Sequence, residues 1–236
     1  AKAATTIGVP MKMEADFGEY SVIPALTGVE VYAPEASSAV VIGDSTLAND
    51  IPILLAEKLQ NAGITNVGIL QQAIKGNRLL DDGAGILGMA YGEAMVDRFE
   101  RDALNQPGVE RIFLKVGVND VVHPNCESLK DEAWAVTAEE MIAGYKQLIE
   151  QAHERGIEVY LFTRTAWKGY TRNVLGSDDV QWTPEIDQMR QDINAWIRSS
   201  DNPADGYIDL DFMCTDETAS ELKSEYTTDG AHFTAL

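Results

Sequence analysis

Ser45 ends the run Val40-Val41-Ile42-Gly43-Asp44-Ser45, and Asp229 and His232 stand three residues apart near the other end of the chain. A hydroxyl, an imidazole and a carboxylate are the parts of a nucleophilic relay. The hydroxyl attacks, the imidazole takes its proton near neutral pH, and the carboxylate orients the ring and stabilises its protonated form. Acyl transfer also needs hydrogen-bond donors aimed at the oxygen on which charge develops. Three are available: the N–H of Ser45 itself, the N–H of Gly76 in Ile74-Lys75-Gly76-Asn77-Arg78, and the side-chain amide of Asn119 in Gly117-Val118-Asn119-Asp120.

The base must come from His123, His153 or His232, the only histidines. His153, beside Glu154 and Arg155, reads as a solvated residue favoured by the carboxyl end of a helix. His123 lies in a loop just past a strand and could approach a site there. His232 has Asp229 three residues before it, with Gly230 between to let the loop turn, so a carboxylate oxygen can meet the ring Nδ1. Each residue taken alone has a plainer reading. Ser45 reads as a helix-capping turn residue, Asp229-Gly230 as an ordinary turn, and Gly76-Asn77 and Asn119-Asp120 likewise. What favours chemistry is that successive strand ends each deliver a required group.

The strands are legible from apolar runs: Ser38–Ile42, Asn66–Leu70, Arg111–Val116, Ile157–Thr163 and Gly206–Leu210. Helical spacing lies between them. Asn49 or Asp50 can cap a helix carrying Leu54, Leu55 and Leu59 to Gly63. Met95, Phe99 and Ala103 mark a helix over Gly92–Leu104. Thr137 and Glu140 form a capping box ahead of Met141, Tyr145, Leu148, Ile149 and Ala152. Thr183-Pro184 opens a helix with Ile186, Met189, Ile193, Trp196 and Ile197 facing inward. Strand–helix alternation predicts an open, doubly wound parallel sheet with helices on both faces and its site at the carboxyl ends of the strands. Ser45 and Asn119 then share that edge with the segment after the second strand. Residues 1–37 lack helical period and read as a lead-in with short strands such as Ser21–Ile23 and Val29–Tyr32. Residues 38–236 form the α/β domain.

Composition narrows the function classes. At 236 residues the chain can bury a sizeable core. Its formal net charge of −20 repels phosphate backbones and argues against nucleic acid. No apolar run approaches membrane-spanning length. Cys126 and Cys214 form no Cys-x-x-Cys pair and are expected as buried thiols, and the scattered histidines offer no metal cluster. The chain opens on Ala1 with nothing resembling a signal peptide. It reads as processed or cut from a longer protein, with an extracellular setting favoured. Gly83-Ala84-Gly85-Ile86-Leu87-Gly88 matches a dinucleotide fingerprint, but a polar stretch, not a strand, precedes it. Leu47 occupies the position where the ordinary α/β-hydrolase elbow has glycine. Trp134, Trp167, Trp182 and Tyr170 read first as packing residues. Trp167 and Tyr170, just past the fourth strand, are also placed to stack on a sugar.

Taken in order, Gly43-Asp44-Ser45, Gly76-Asn77-Arg78-Leu79-Leu80, Gly117-Val118-Asn119-Asp120 and Asp229-Gly230-Ala231-His232 resemble the four blocks of the SGNH hydrolase superfamily, the GDSL-type lipases and esterases. The likeness spans residues 26–234 and includes Arg98-Phe99-Glu100-Arg101-Asp102 and Gln106-Pro107-Gly108-Val109. It implies a three-layer α/β/α sandwich of flavodoxin-like type around five parallel strands. Ser45 would be nucleophile, His232 base and Asp229 its partner, with an oxyanion hole from Ser45, Gly76 and Asn119 and neither metal nor cofactor. The implied activity is a serine esterase acting on short-chain acyl esters of carbohydrates. Lysophospholipids, aryl esters and thioesters are the alternative substrates, and a non-catalytic ligand-binding module is the rival from another class. Such relatives often carry a β-rich region upstream, of which residues 1–37 would be the remnant, and they continue past the His block into a final helix.

Overall fold

Seven consecutive buried residues, Ser37–Gly43, make the strand that organises the molecule. The computed structural model describes residues 2–5, 11–15, 18–22, 29–48, 51–85, 88–127, 129–130, 133–174 and 177–234. Four short strands come first: β1 (Lys2–Thr5), β2 (Met11–Ala15), β3 (Gly18–Val22) and β4 (Val29–Tyr32). β1 pairs antiparallel with β4, and β2 with β3. Then follow β5 (Ser37–Gly43), α1 (Ser45–Ala48), α2 (Ile51–Asn61), β6 (Val67–Gln71), α3 (Gly88–Tyr91), α4 (Met95–Phe99), β7 (Val109–Lys115) and α5 (Val118–Val122). The chain continues through α6 (Ala138–His153), β8 (Glu158–Phe162), β9 (Thr171–Val174), β10 (Ser177–Val180), α7 (Pro184–Ile197), β11 (Gly206–Ile208) and α8 (Leu210–Cys214).

Strands β6, β5, β7, β8 and β11 form one five-stranded sheet in that spatial order, every pairing parallel. From β5 the chain steps outward to β6, then returns to place β7 on β5's other side. In sheets of this kind ligands bind in the crevice at the carboxyl ends of the strands that flank such a reversal, here β5 and β7. Alternation along the strands supplies two apolar faces. Val40, Ile42, Ile112, Leu114, Val159 and Leu161 join Phe99, Met141, Tyr145, Leu148, Ile193 and Ile197 in the main core. Val41, Phe113 and Phe162 face the opposite way, with Leu47, Ile51 and Leu55 from α1 and α2. The result is the expected three-layer α/β/α architecture of flavodoxin-like strand order.

Several boundaries differ from the sequence reading. The fifth strand stops at Ile208, because the Asp209 carboxylate accepts the Phe212 N–H and starts α8 at Leu210. The helix expected over Gly92–Leu104 begins at Met95 and turns π-helical over Glu100–Leu104, with the Asn105 N–H reaching the Glu100 carbonyl. The capping box forms: Glu140 N–H donates to Thr137 Oγ1 at 3.2 Å and Thr137 N–H to Glu140 Oε2 at 2.8 Å. Asn49 and Asp50, expected as caps, and Ile23, expected in a strand, lie outside the described residues. Cys126 and Cys214 are buried and not bridged. Among the described residues no helix is long and apolar enough to cross a membrane.

Candidate active site

Asp44 turns the chain out of β5. Its backbone carbonyl accepts the Leu47 and Ala48 N–H groups, both at 3.1 Å, and its carboxylate Oδ1 accepts the Thr46 N–H at 2.9 Å and the Thr46 hydroxyl at 2.6 Å. Ser45, the first residue of α1, is thus carried at the strand's end with its side chain half-buried. Its Oγ lies 2.9 Å from His232 Nε2, across a sequence separation of 187.

The other ring nitrogen, Nδ1, meets Asp229 Oδ2 at 2.6 Å. A proton on Nδ1 facing the carboxylate leaves Nε2 with the lone pair that accepts the Ser45 hydroxyl. Asp229 is itself anchored, its Oδ1 accepting the N–H groups of Ala231 at 2.9 Å and His232 at 2.8 Å. Partial burial works to raise the Asp229 pKa. These two N–H groups and the imidazole outweigh it, holding the carboxyl below the ordinary range. The loop closes through a bridge between Thr227 and Phe233 and a Gly230 N–H bond to Thr227 Oγ1 at 3.0 Å. Tyr170 stands edge-on to the His232 ring, centroids 5.7 Å apart.

The two expected donors beyond Ser45 come from segments stitched together. Gly76 has φ +80°, and a Cβ there would stand 2.1 Å from a ring carbon of Tyr91, so neither the backbone nor the space admits a side chain. The neighbouring Asn77 carbonyl accepts the Asn119 amide at 3.0 Å, which orients that buried side chain and uses one of its two N–H bonds. Asp120, fully buried, accepts the Leu79 N–H at 2.8 and 3.0 Å and the Leu80 N–H at 3.0 Å. Burial raises the Asp120 pKa, with those N–H groups opposing. Asn119 follows Gly117, whose φ of +111° lets β7 break directly into α5, while the Arg164 guanidinium fills the place a Cβ would take.

Of the three histidines, only His232 hydrogen-bonds Ser45. His123 is fully buried with its ring 5.3 Å from that of Tyr91, the ring packed against Gly76. His153 ends α6 and pairs with Asp205 at 3.0 Å.

Residues 40–236 match the model of the family described as GDSL-like Lipase/Acylhydrolase. The chain belongs to the GDSL-like lipase/acylhydrolase family. No curated protein sequence matches it. Solved structures share the fold at low identity. One is an acetyl xylan esterase, AlAXEase, with TM-score 0.57 and 20% identity over 84% of this chain and 91% of that one. Another is Axe2, an acetylxylan esterase from Geobacillus stearothermophilus, with TM-score 0.56 and 14% identity over 86% of this chain and 90% of that one.

In this GDSL-family chain one supporting residue lies outside those the sequence reading singles out. Lys115, at the end of β7 and almost wholly buried, donates from Nζ to Thr46 Oγ1 at 2.7 Å, while its carbonyl accepts the Asp44 N–H at 3.2 Å. Burial pulls the Lys115 pKa down, Asp44 lifts it and Arg164 adds to the lowering. The signal was a lysine inside the apolar run Arg111–Val116. Trp167 corrects an expectation: it is 2% exposed, with its indole N–H on the Gln181 carbonyl at 3.1 Å, and has no open face for a sugar. Tyr170, the other aromatic expected to stack on a sugar, does stand beside His232.

Proposed function

We propose that the protein is a serine esterase that hydrolyses short-chain acyl esters of carbohydrates, acetyl esters foremost, through an acyl-enzyme. The observation that carries the reading is the continuous relay Ser45 Oγ, His232 Nε2, His232 Nδ1, Asp229 Oδ2, with contacts of 2.9 and 2.6 Å. Ser45 Oγ attacks the ester carbonyl as its proton passes to His232 Nε2. The Asp229 carboxylate stabilises the imidazolium that forms. The N–H groups of Ser45 and Gly76 and the Asn119 amide hold the tetrahedral oxyanion. As the intermediate collapses, His232 returns the proton to the departing alcohol oxygen. A water molecule, deprotonated by the same imidazole, then attacks the acyl-enzyme, releases the acid and restores Ser45.

The sugar-ester choice is supported by the acetyl xylan esterases among the structural neighbours and by Tyr170, an aromatic ring set against His232. A fluorophosphonate probe, which marks activated serines, should label the protein at Ser45 and leave Ser45→Ala and His232→Ala unlabelled. Turnover should fall from acetyl through butyryl to longer nitrophenyl esters, and acetylated xylo-oligosaccharides should release acetate. An unlabelled wild type would make the protein a binding module rather than an enzyme. Clear preference for long acyl chains would overturn the sugar-ester assignment and favour a lipid ester.

A further inference from the structure

Arg98 lies on α4 with no exposed surface and takes no part in the chemistry above. Its Nε and Nη2 both donate to Asn77 Oδ1, at 3.1 and 2.9 Å. Nη2 also reaches the Gly43 carbonyl at 3.4 Å, and Nη1 donates to the Gln72 carbonyl at 2.9 Å and to Asp102 Oδ2 at 3.0 Å. These partners are not scattered. Gly43 lies two residues before Ser45 on β5. Gln72 follows β6 and leads toward Gly76. Asn77 directly follows Gly76, and its carbonyl takes the Asn119 amide at 3.0 Å. The Asn77 Nδ2 in turn donates to the carbonyls of Tyr91 at 2.9 Å and Glu93 at 2.8 Å, fixing the side chain that Arg98 grips.

We propose that Arg98 is a positioning residue that sets the spacing of the three segments bearing the oxyanion donors: Gly43–Ser45, Gln72–Asn77 and, through Asn77, Asn119. The proposal rests on the esterase reading. A buried charge is a poor way to gain stability, since desolvation offsets much of its attraction to a partner. A planar guanidinium, however, can hold several acceptors in one fixed geometry, which neither an apolar side chain nor a lysine can do. Oxyanion stabilisation depends on such fixed geometry, and a misplacement of about 1 Å can cost about 100-fold in rate.

The test compares wild type, Arg98→Lys, Asn77→Ala and Arg155→Ala on nitrophenyl acetate, with Ser45 labelling and thermal melting of each. Arg98→Lys keeps the charge beside Asp102 but loses the fork. Asn77→Ala cuts the same link from its other end, so the proposal stays testable if one variant does not fold. Arg155→Ala removes an exposed pair with Glu100 and a surface hydrogen bond to Asn105, and controls for surface changes. The expected result is a fall in kcat on the order of 100-fold for Arg98→Lys and Asn77→Ala, with KM within about threefold. Affinity for a boronic acid transition-state analogue should weaken by the same factor as kcat/KM. A folded Arg98→Lys that melts earlier yet keeps wild-type kcat, or that loses KM rather than kcat, makes Arg98 merely structural and overturns the proposal while leaving the esterase reading intact. A wild type inert to both probe and ester overturns both.

Discussion

At the scale of single residues, the proposed relay depends on a carboxylate that stays ionised beside an imidazole that must gain charge. Burial lifts the Asp229 pKa, but the Ala231 and His232 N–H groups and the imidazole bring it below the ordinary value. A carboxyl depressed on folding stabilises the native state above its unfolded pKa of about 3.9, and that contribution fades as pH falls through the lower folded value. Asp229 is therefore anionic throughout the weakly acid and neutral range. Asparagine there would still accept the two backbone N–H groups but would no longer carry the charge facing Nδ1. Asp229→Asn should leave the circular dichroism spectrum unchanged and lower kcat by up to about 10⁴-fold. Wild-type turnover in that variant would remove the carboxylate from the relay. Ser45, Asp229 and His232 were legible because each stands at a chemically marked point: a strand end, a turn, an Asp-x-x-His. The parts played by Lys115 and Arg98 were not, because the bonds that define them join residues 69 and 55 positions away: a lysine inside an apolar run is a local oddity that does not name its partner.

Among the elements, β5 and β7 matter most, since Ser45 leaves the carboxyl end of one and Asn119 follows that of the other. They approach so closely there that a Cβ on Gly43 would stand 2.0 Å from the Lys115 carbonyl oxygen. Gly43→Ala must push the two strands apart where Ser45 leaves one and Asn119 follows the other. It should destabilise the protein by about 1–3 kcal/mol or more, read as a lower urea midpoint, and reduce activity beyond the loss of folded protein. A variant of unchanged midpoint would mean that the strands yield there at no cost. The five sheet strands could be read from the sequence to within a residue or two, because each carries a short β-branched or aromatic run between turn signals. The capping box was legible for a local reason, as both its hydrogen bonds span three residues. The hairpin of β9 and β10, the short helix α8 and the π-helical turn were missed. Helix α8 is five residues long, too short to show a period, and a π-helical turn differs from an α-helical one only in which carbonyl each N–H reaches.

For the molecule as a whole, the net charge of −20 is the dominant long-range feature. Its field disfavours anionic substrates and is screened within about 10 Å at 0.1 M salt. A neutral ester should therefore be turned over with higher kcat/KM than an isosteric anionic one. The gap should narrow between about 10 mM and 0.5 M sodium chloride, mainly by improvement of the anionic substrate. Equal discrimination at both salt concentrations would mean that the crevice is locally shielded from the surface charge.

The whole-molecule view also bears on the loop that delivers His232. Most of its hydrogen bonds are internal to the loop, and its ties to the rest of the molecule include the Ser45–His232 contact, the burial of Ala231 in the core and the approach of Gly230 to Tyr170. Ser45 instead issues from the most deeply buried strand. Local openings of lightly tethered segments require less free energy than collapse of the core. On warming, activity should be lost while the sheet is still intact, and on cooling it should return without refolding.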